Sequence, residues 1–461
     1  MNLTLLLLAS LLLLALFTEA GATPNLVRNG DFRERTPEGR PTQWTLWAPR
    51  EEIAPQLGLD GHLATLAGGG NFAVHGRLQQ RISAVEPGQS YAFECRCKAE
   101  GVRSLHESLG VKLTWRDAKD QVVRKDYVQD PDSPANKDSE RAGEHGGWWH
   151  LRKVVTARED VKSVEIELIF QWAAEGKVWW DDVRFFAVPP PPRQTVRLAT
   201  VHYVPHDSTP QSNRDKFAEF SRQAAAQKAD LVVLPECLTV PGTGKTAAEV
   251  AESIPGPSTE QFAPIAKAGR MYLVLPIYER DGHVIYNTTV LLGRDGQVAG
   301  KYRKVHLPPQ EVEAGVTPGD DFPLFQTDFA KVGIETCYDH FFPEMISGLA
   351  RNGAQIVCLP IWGGHETEGM WHAAMRTRAV DNGVYLVVST YCDKGGLIVH
   401  PDGRVLVDAQ GKEGVYTTDV ELIDGQAPSY WVWQWSDMWW WKDCYWKERR
   451  PEVYEGLVRT K

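Results

Sequence analysis

Four consecutive prolines, residues 189–192, constrain this chain more than any other feature. Each ring fixes φ at about −65° and removes a backbone donor, so the run fits neither a helix interior nor a sheet ladder and acts as a stiff spacer. The chain changes character across it, and 461 residues exceed what one compact core ordinarily holds. We read a signal peptide over 1–22, a domain over 24–188, a linker over 189–194, a second domain over 195–425 and a tail over 426–461.

Upstream of the prolines, short alternating runs lie between turn signals, among them Tyr91 to Cys97, Gly110 to Trp115, Val164 to Phe170 and Lys177 to Phe186. No amphipathic helix of useful length interrupts them, and the pattern predicts an all-β sandwich. Residues 130–147, rich in Asp, Ser, Pro, Asn and Gly, read as one long loop. Downstream, strand and helix alternate. Val196 to His202 reads as a β-branched strand, Ser212 to Lys228 as a helix with Phe217, Phe220 and Ala224 on one face, and Leu231 to Leu234 as a buried strand. Helices follow near 259–269, 343–352 and 368–382, and strands near 272–277, 331–336, 355–359 and 384–389. The alternation predicts an α/β domain with near-continuous apolar strands and an active site at their carboxyl ends.

Fifty Lys and Arg against 60 Asp and Glu leave a net charge of −10, so no basic field holds a polyanion; neutral small molecules or glycans are the expected partners, and nucleic acid is not. Leu3 to Phe17 is apolar but short for a membrane span, and Ala20-Gly21-Ala22 supplies small residues for cleavage, which predicts a secreted or periplasmic protein. Seven cysteines are too sparse for a disulfide scaffold, and their odd number leaves a free thiol. Cys95 and Cys97 share a strand face but stand too far apart for an easy bridge, so buried thiols are expected. The tail holds seven of the 17 tryptophans, read as a wrap onto the main domain or across a dimer interface in preference to a ligand platform.

Three segments place a reactive side chain just after an apolar strand: Leu234-Pro235-Glu236, Tyr302-Arg303-Lys304-Val305-His306-Leu307 and Gly333-Ile334-Glu335-Thr336-Cys337-Tyr338-Asp339. Converging in one crevice, they suit attack on an amide carbonyl. A thiol needs a base such as Glu236 or a cation such as Lys304 to become a nucleophile at neutral pH. Lys304 and the backbone N–H of Tyr338 could stabilise the developing oxyanion, and Glu236 could move the protons. The histidines show neither His-Glu-x-x-His nor a paired-Cys zinc spacing, so no metal is expected. Gly242-Thr243-Gly244-Lys245-Thr246 lacks the glycine a phosphate loop needs at 239. Cys237 is expected to alternate away from Glu236 as a structural residue.

Together the three segments resemble the signature segments of the carbon-nitrogen hydrolase (nitrilase) superfamily, in that family's order. Further similarity comes from Thr317-Pro318-Gly319-Asp320, Phe342-Pro343-Glu344, Leu359-Pro360-Ile361-Trp362, Arg378 to Asn382 and Arg449 to Glu452. The resemblance implies a four-layer αββα sandwich, a Glu236-Lys304-Cys337 triad, no metal or organic cofactor, and a homo-oligomer. It also implies a second glutamate, Glu311 or Glu313, with Glu313 preferred. Tyr338-Asp339 after the cysteine, in place of Trp-Glu, points to linear amides or N-carbamoyl compounds rather than nitriles. The expected function is a secreted thiol amidohydrolase releasing ammonia or an amine; an acyltransferase using the same cysteine and a catalytically inert glycan-binding protein are the alternatives. Asn25 to Phe32 with Trp44, and Trp179-Trp180-Asp181-Asp182-Val183, resemble the two ends of a jelly-roll carbohydrate-binding module. That leaves two roles open for the first domain, polysaccharide binding or orientation of the enzyme, and Trp47, Trp148 and Trp149 as either sugar platforms or core.

Overall fold

The computed structural model describes residues 24–128, 147–191, 194–363 and 369–422, together with 450 and 453. The expected signal peptide, the loop at 130–147 apart from its last residue, and the Trp-rich segment of the tail lie outside these residues. The chain divides into two compact units, residues 1–192 with 443–461 and residues 193–442. Among the described residues no helix is long and apolar enough to cross a membrane.

The first unit consists of two five-stranded antiparallel sheets. One runs in the order Thr45–Trp47, His75–Ile82, Ser163–Gln171, Leu109–Arg116, Val122–Val128. The other runs Gln56–Asp60, Leu63–Ala67, Lys177–Val188, Ser90–Glu100, Trp149–Thr156. Period-two alternation sends Leu78, Ile166, Leu113, Phe93, Cys95, Cys97 and Trp180 into one shared core. Both cysteines are free and buried. The two short motifs meet: the Asn25 side chain donates to Val183 O (3.2 Å) and accepts from the Phe185 N–H (2.9 Å). A Cβ at Gly30 would lie 2.0 Å from Val183 O, so only glycine admits this approach. Trp149 packs partly against the core, while Trp47 and Trp148 are half-buried.

The second unit holds two six-stranded sheets. The first runs Val298–Arg303, Val284–Leu292, Tyr272–Asp281, Leu231–Val233, Gln194–His202, Gly414–Leu422; the second runs Leu324–Gln326, Lys331–Ile334, Ile356–Ile361, Tyr385–Thr390, Leu397–Val399, Val405–Asp408. In each, three parallel strands carry antiparallel strands at their flanks. Leu198 and Val233 of the first sheet meet Ile334, Cys358 and Val387 of the second in a core between the sheets. Pro210–Ala226 and Pro257–Gly269 cover the outer face of the first sheet through Phe217, Phe220 and Phe262. Pro343–Arg351 lies on the outer face of the second, where a Cβ at Gly333 would touch Leu349, and Met370–Asn382 contacts Tyr385–Thr390 of that sheet.

The apolar runs anticipate the parallel strands; the antiparallel flanks are less visible. Val298–Arg303, expected as an apolar strand ahead of Lys304, is an edge strand with Tyr302 as its one buried residue. An edge strand needs little apolar surface. Because two antiparallel steps separate it from Tyr272–Asp281, it runs in the same direction as that strand, and Lys304 emerges at the carboxyl edge beside Glu236.

Phe217 is fully buried, with ring centroids of Tyr203, Phe220 and Tyr391 at 5.7, 6.4 and 6.3 Å. Phe217→Ala should lower the unfolding free energy by about 3–5 kcal/mol in urea titration; a loss under about 1 kcal/mol would contradict this packing.

Candidate active site

The Tyr302-Arg303-Lys304-Val305-His306 segment holds itself in place by reaching in three directions. The Tyr302 hydroxyl donates to Asp339 Oδ2 at 2.6 Å, and the His306 backbone N–H donates to Asp339 Oδ1 at 2.9 Å. Arg303 pairs with Glu279, which also accepts from Thr288 Oγ1 and Lys301. Burial alone would raise the Glu279 carboxyl; these hydrogen bonds and ion pairs outweigh it and hold the group at about 2. Between these anchors, Lys304 turns inward and is 1% exposed.

Lys304 Nζ donates to Glu236 Oε1 at 2.8 Å and to Glu311 Oε2 at 2.7 Å. Burial alone would lower its pKa; Glu236, Cys337 and Glu311 outweigh burial and hold the ammonium above the usual lysine range. Asn287 closes the arrangement, its Nδ2 donating to Glu236 Oε1 at 2.7 Å and Glu311 Oε1 at 2.6 Å. The Tyr278 hydroxyl adds 3.0 Å to Glu311, and the Trp362 backbone N–H adds 2.8 Å to Glu236 Oε2. Every neighbour is a donor, the environment an ionised carboxylate satisfies. Tyr278 and Asn287 are cross-strand partners, and the Lys304 N–H donates to Asn287 O at 2.8 Å, so the ladder itself sets this spacing.

The glutamate in this ring is Glu311, not the preferred Glu313. Both lie on the short helix Pro309–Glu313, where residues two apart point to different sides. Glu311 faces Lys304, and Glu313 is exposed to solvent.

Cys337 follows the strand Lys331–Ile334 and opens a 3₁₀ turn, Cys337–Phe341. Its φ is +48°, an unusual conformation for a residue with a side chain, worth about 1–3 kcal/mol of strain. Asp339 holds the turn, accepting from the Thr336 N–H at 2.9 Å while also binding Tyr302 and His306. One carboxylate thereby ties the cysteine turn to the lysine segment. Among the six described cysteines, Cys337 alone is partly exposed. Burial, then the neighbouring Glu236 carboxylate, push its thiol up, with the Lys304 ammonium pulling it down. The resting thiol is thus protonated beside a carboxylate able to accept the proton. Tyr338, next in the turn, is half-buried with its ring against Phe341 and Phe342, and N–H groups at the start of such a turn are not used within it.

Cys237 does not alternate away as expected. The strand ends at Val233, and Cys237 has φ +48°, so the period of two no longer applies. Its sulfur lies within 4.8 Å of carboxylate oxygens of both Glu236 and Glu311. Among the described residues these three form the grouping that could offer a metal ion its ligands, but the Lys304 ammonium already bridges both carboxylates.

Sequence reasoning missed Asn287, Tyr278, Asp339 as a clamp, and Trp362, which contributes only a backbone N–H. It also passed over Glu335. This residue is fully buried, neither carboxyl oxygen has a hydrogen-bond partner among the described residues, and burial followed by Asp339 raises its pKa to about 8. The shift is upward, so stability is complete below the ordinary glutamate value of 4.5 and is lost as pH rises through about 8. Glu335→Met should remove this loss, stabilising the second unit by about 1–3 kcal/mol at pH 8.5 and by less at pH 5.5. Thermal unfolding at both pH values checks it; equal shifts at the two would contradict it.

A family model described as carbon-nitrogen hydrolase matches residues 197–427, within the second unit. Omega-amidase NIT2 of Homo sapiens is 36% identical over 230 residues, covering 46% of this chain and 83% of that protein. Omega-amidase NIT2 of Mus musculus is 34% identical over 248 residues, covering 50% and 89%. The crystal structure of Saccharomyces cerevisiae Nit3, a member of branch 10 of the nitrilase superfamily, aligns with TM-score 0.46 and 27% identity over 50% of this chain and 90% of that one. With the family match spanning half of its length and both amidase relatives aligned over most of theirs, this chain belongs to the carbon-nitrogen hydrolase family of the nitrilase superfamily.

Proposed function

We propose that the second unit is a thiol amidohydrolase that cleaves a linear amide or N-carbamoyl compound through a thioester on Cys337. The observation that carries this reading is the shared ammonium: Lys304 bridges Glu236 and Glu311, and both Lys304 and Glu236 act electrostatically on the half-buried Cys337 thiol. The Tyr338-Asp339 sequence after the nucleophile and the two relatives named as amidases support an amide over a nitrile.

In this reading Glu236 takes the thiol proton as sulfur bonds to the carbonyl carbon, and the C=O electron pair moves onto oxygen. Lys304 Nζ and the Tyr338 N–H stabilise that oxyanion. The tetrahedral adduct collapses, the C–N bond breaks, and Glu236 hands its proton to the departing nitrogen. Glu236 then takes a proton from water, whose oxygen attacks the thioester; collapse releases the acid and returns the proton to the thiolate. Glu311 keeps Lys304 charged and aligned through the cycle, and Asn287 keeps the two carboxylates at a constant separation.

Ammonia release from aliphatic amides, N-carbamoyl amines and N-carbamoyl amino acids tests the reading. Cys337→Ala should abolish release from whichever compound turns over, a loss of at least about 10³-fold; undiminished release in the variant would overturn the nucleophile. The two glutamates should separate in the same assay. Glu311→Gln should lower kcat by about 10²-fold or more, and Glu313→Gln should stay within about twofold; the opposite ranking would show that the helix places the wrong residue at the site.

A further inference from the structure

Among the described residues up to 191, the exposed large apolar side chains are Phe72 and Trp172, at 84% and 53%. They lie in two loops that are bonded together. The Trp172 N–H donates to Val74 O at 2.7 Å, and Gly68 and Gly70 donate to Gly176 O and Ala174 O, each at 2.9 Å. Asn71 stiffens the Phe72 loop by donating to Glu52 O at 2.8 Å and accepting from the Ala73 N–H at 3.0 Å. Trp172 has φ +55°, a strained conformation for an aromatic residue, held here with the ring turned outward.

The adjoining sheet face extends the surface. The His75 ring lies 6.4 Å from Trp172 and 6.3 Å from Trp47. The Arg77 guanidinium stands 3.6 Å from the centroid of Trp47. Arg77 is itself fixed by Gln79 at 2.8 Å and Glu167 at 2.7 Å, and Lys112 pairs with the same glutamate at 2.7 Å. Rings therefore alternate with planar polar groups, unlike the contiguous apolar centre of a protein interface.

We propose that Trp47, His75, Trp172 and Phe72 form a binding site for a neutral glycan chain. A pyranose offers aliphatic C–H groups on its faces and hydroxyls around its rim. The exposed Trp172 and Phe72 rings match the first, and the His75 imidazole and Arg77 guanidinium on the adjoining face match the second. The charges support neutrality: Arg77 and Lys112 are both committed to Glu167, and burial, then Arg77, lower the His75 pKa and keep the imidazole uncharged. The site is independent of the hydrolase reading, and the two can fail separately.

The test is affinity electrophoresis of the full chain through gels containing hydroxyethylcellulose, xylan, galactomannan, β-1,3-glucan or pullulan, with polygalacturonate as the acidic comparison. At least one neutral polysaccharide should retard the protein, undiminished by about 0.5 M NaCl. Trp172→Ala and Phe72→Ala should each weaken retardation, and the double variant should lose at least about tenfold in affinity. Both side chains are exposed, so thermal unfolding should be unchanged, and ammonia release should be too. No retardation by any neutral polysaccharide, retardation unaltered in the double variant, or binding to polygalacturonate alone that salt abolishes would each overturn the proposal. A fall in sedimenting mass in the double variant would overturn it in favour of self-association through this face.

Discussion

An ammonium buried between two carboxylates is the interaction on which the second unit depends. Taking Lys304 out of water costs several kcal/mol unless its charge is matched and its donors used. Glu236 and Glu311 do both, at 2.8 and 2.7 Å. The converse also holds, because two carboxylates this close would repel without the cation between them. Neither glutamate nor the lysine can occupy this position alone, so the three segments carrying them must arrive together.

The fold meets that requirement through polar clamps rather than through the core. Asp339 binds the Tyr302 hydroxyl and the His306 and Thr336 N–H groups, tying the cysteine turn of one sheet to the lysine segment of the other. Glu279 holds Arg303 and Lys301 on the far side of Lys304. Thr289 and Thr336 meet at 3.1 Å between the same two sheets. The apolar layer beneath, from Leu198 to Val387, brings the sheets together without fixing their register to the accuracy chemistry needs. Alternating residues of the Tyr-Arg-Lys-Val-His segment thus serve opposite neighbours, and the segment works as a unit.

Much of this is legible in the chain. Phe217, Phe220 and Ala224 mark their helix face, and the buried runs around Leu231 and Ile356 mark parallel strands, because burial on both faces demands apolar sequence. The edge strand Val298–Arg303 leaves no such trace, since solvent on its flank relaxes that demand. Glu311 and Glu313 cannot be ordered without the phase of a five-residue helix too short to show a periodicity. Cys237 is misplaced when alternation is carried past the end of its strand. Asn287 looks like any polar residue in a strand, and Trp362 acts through a backbone group every residue other than proline possesses. Side-chain chemistry is written in sequence; the direction of a turn and the reach of a peptide N–H are not.

In the proposed reaction Glu236 draws the proton from Cys337, which makes that thiol the reactive one among the six described. Timed alkylation with chloroacetamide at pH 7, followed by peptide mass mapping, tests it most directly. Among the six described cysteines the first adduct should form on Cys337, ahead of the buried Cys95, Cys97, Cys237, Cys358 and Cys392, and should be slowed by Glu236→Gln. Labelling of Cys237 at an equal rate, or a Cys337 rate indifferent to Glu236→Gln, would contradict it.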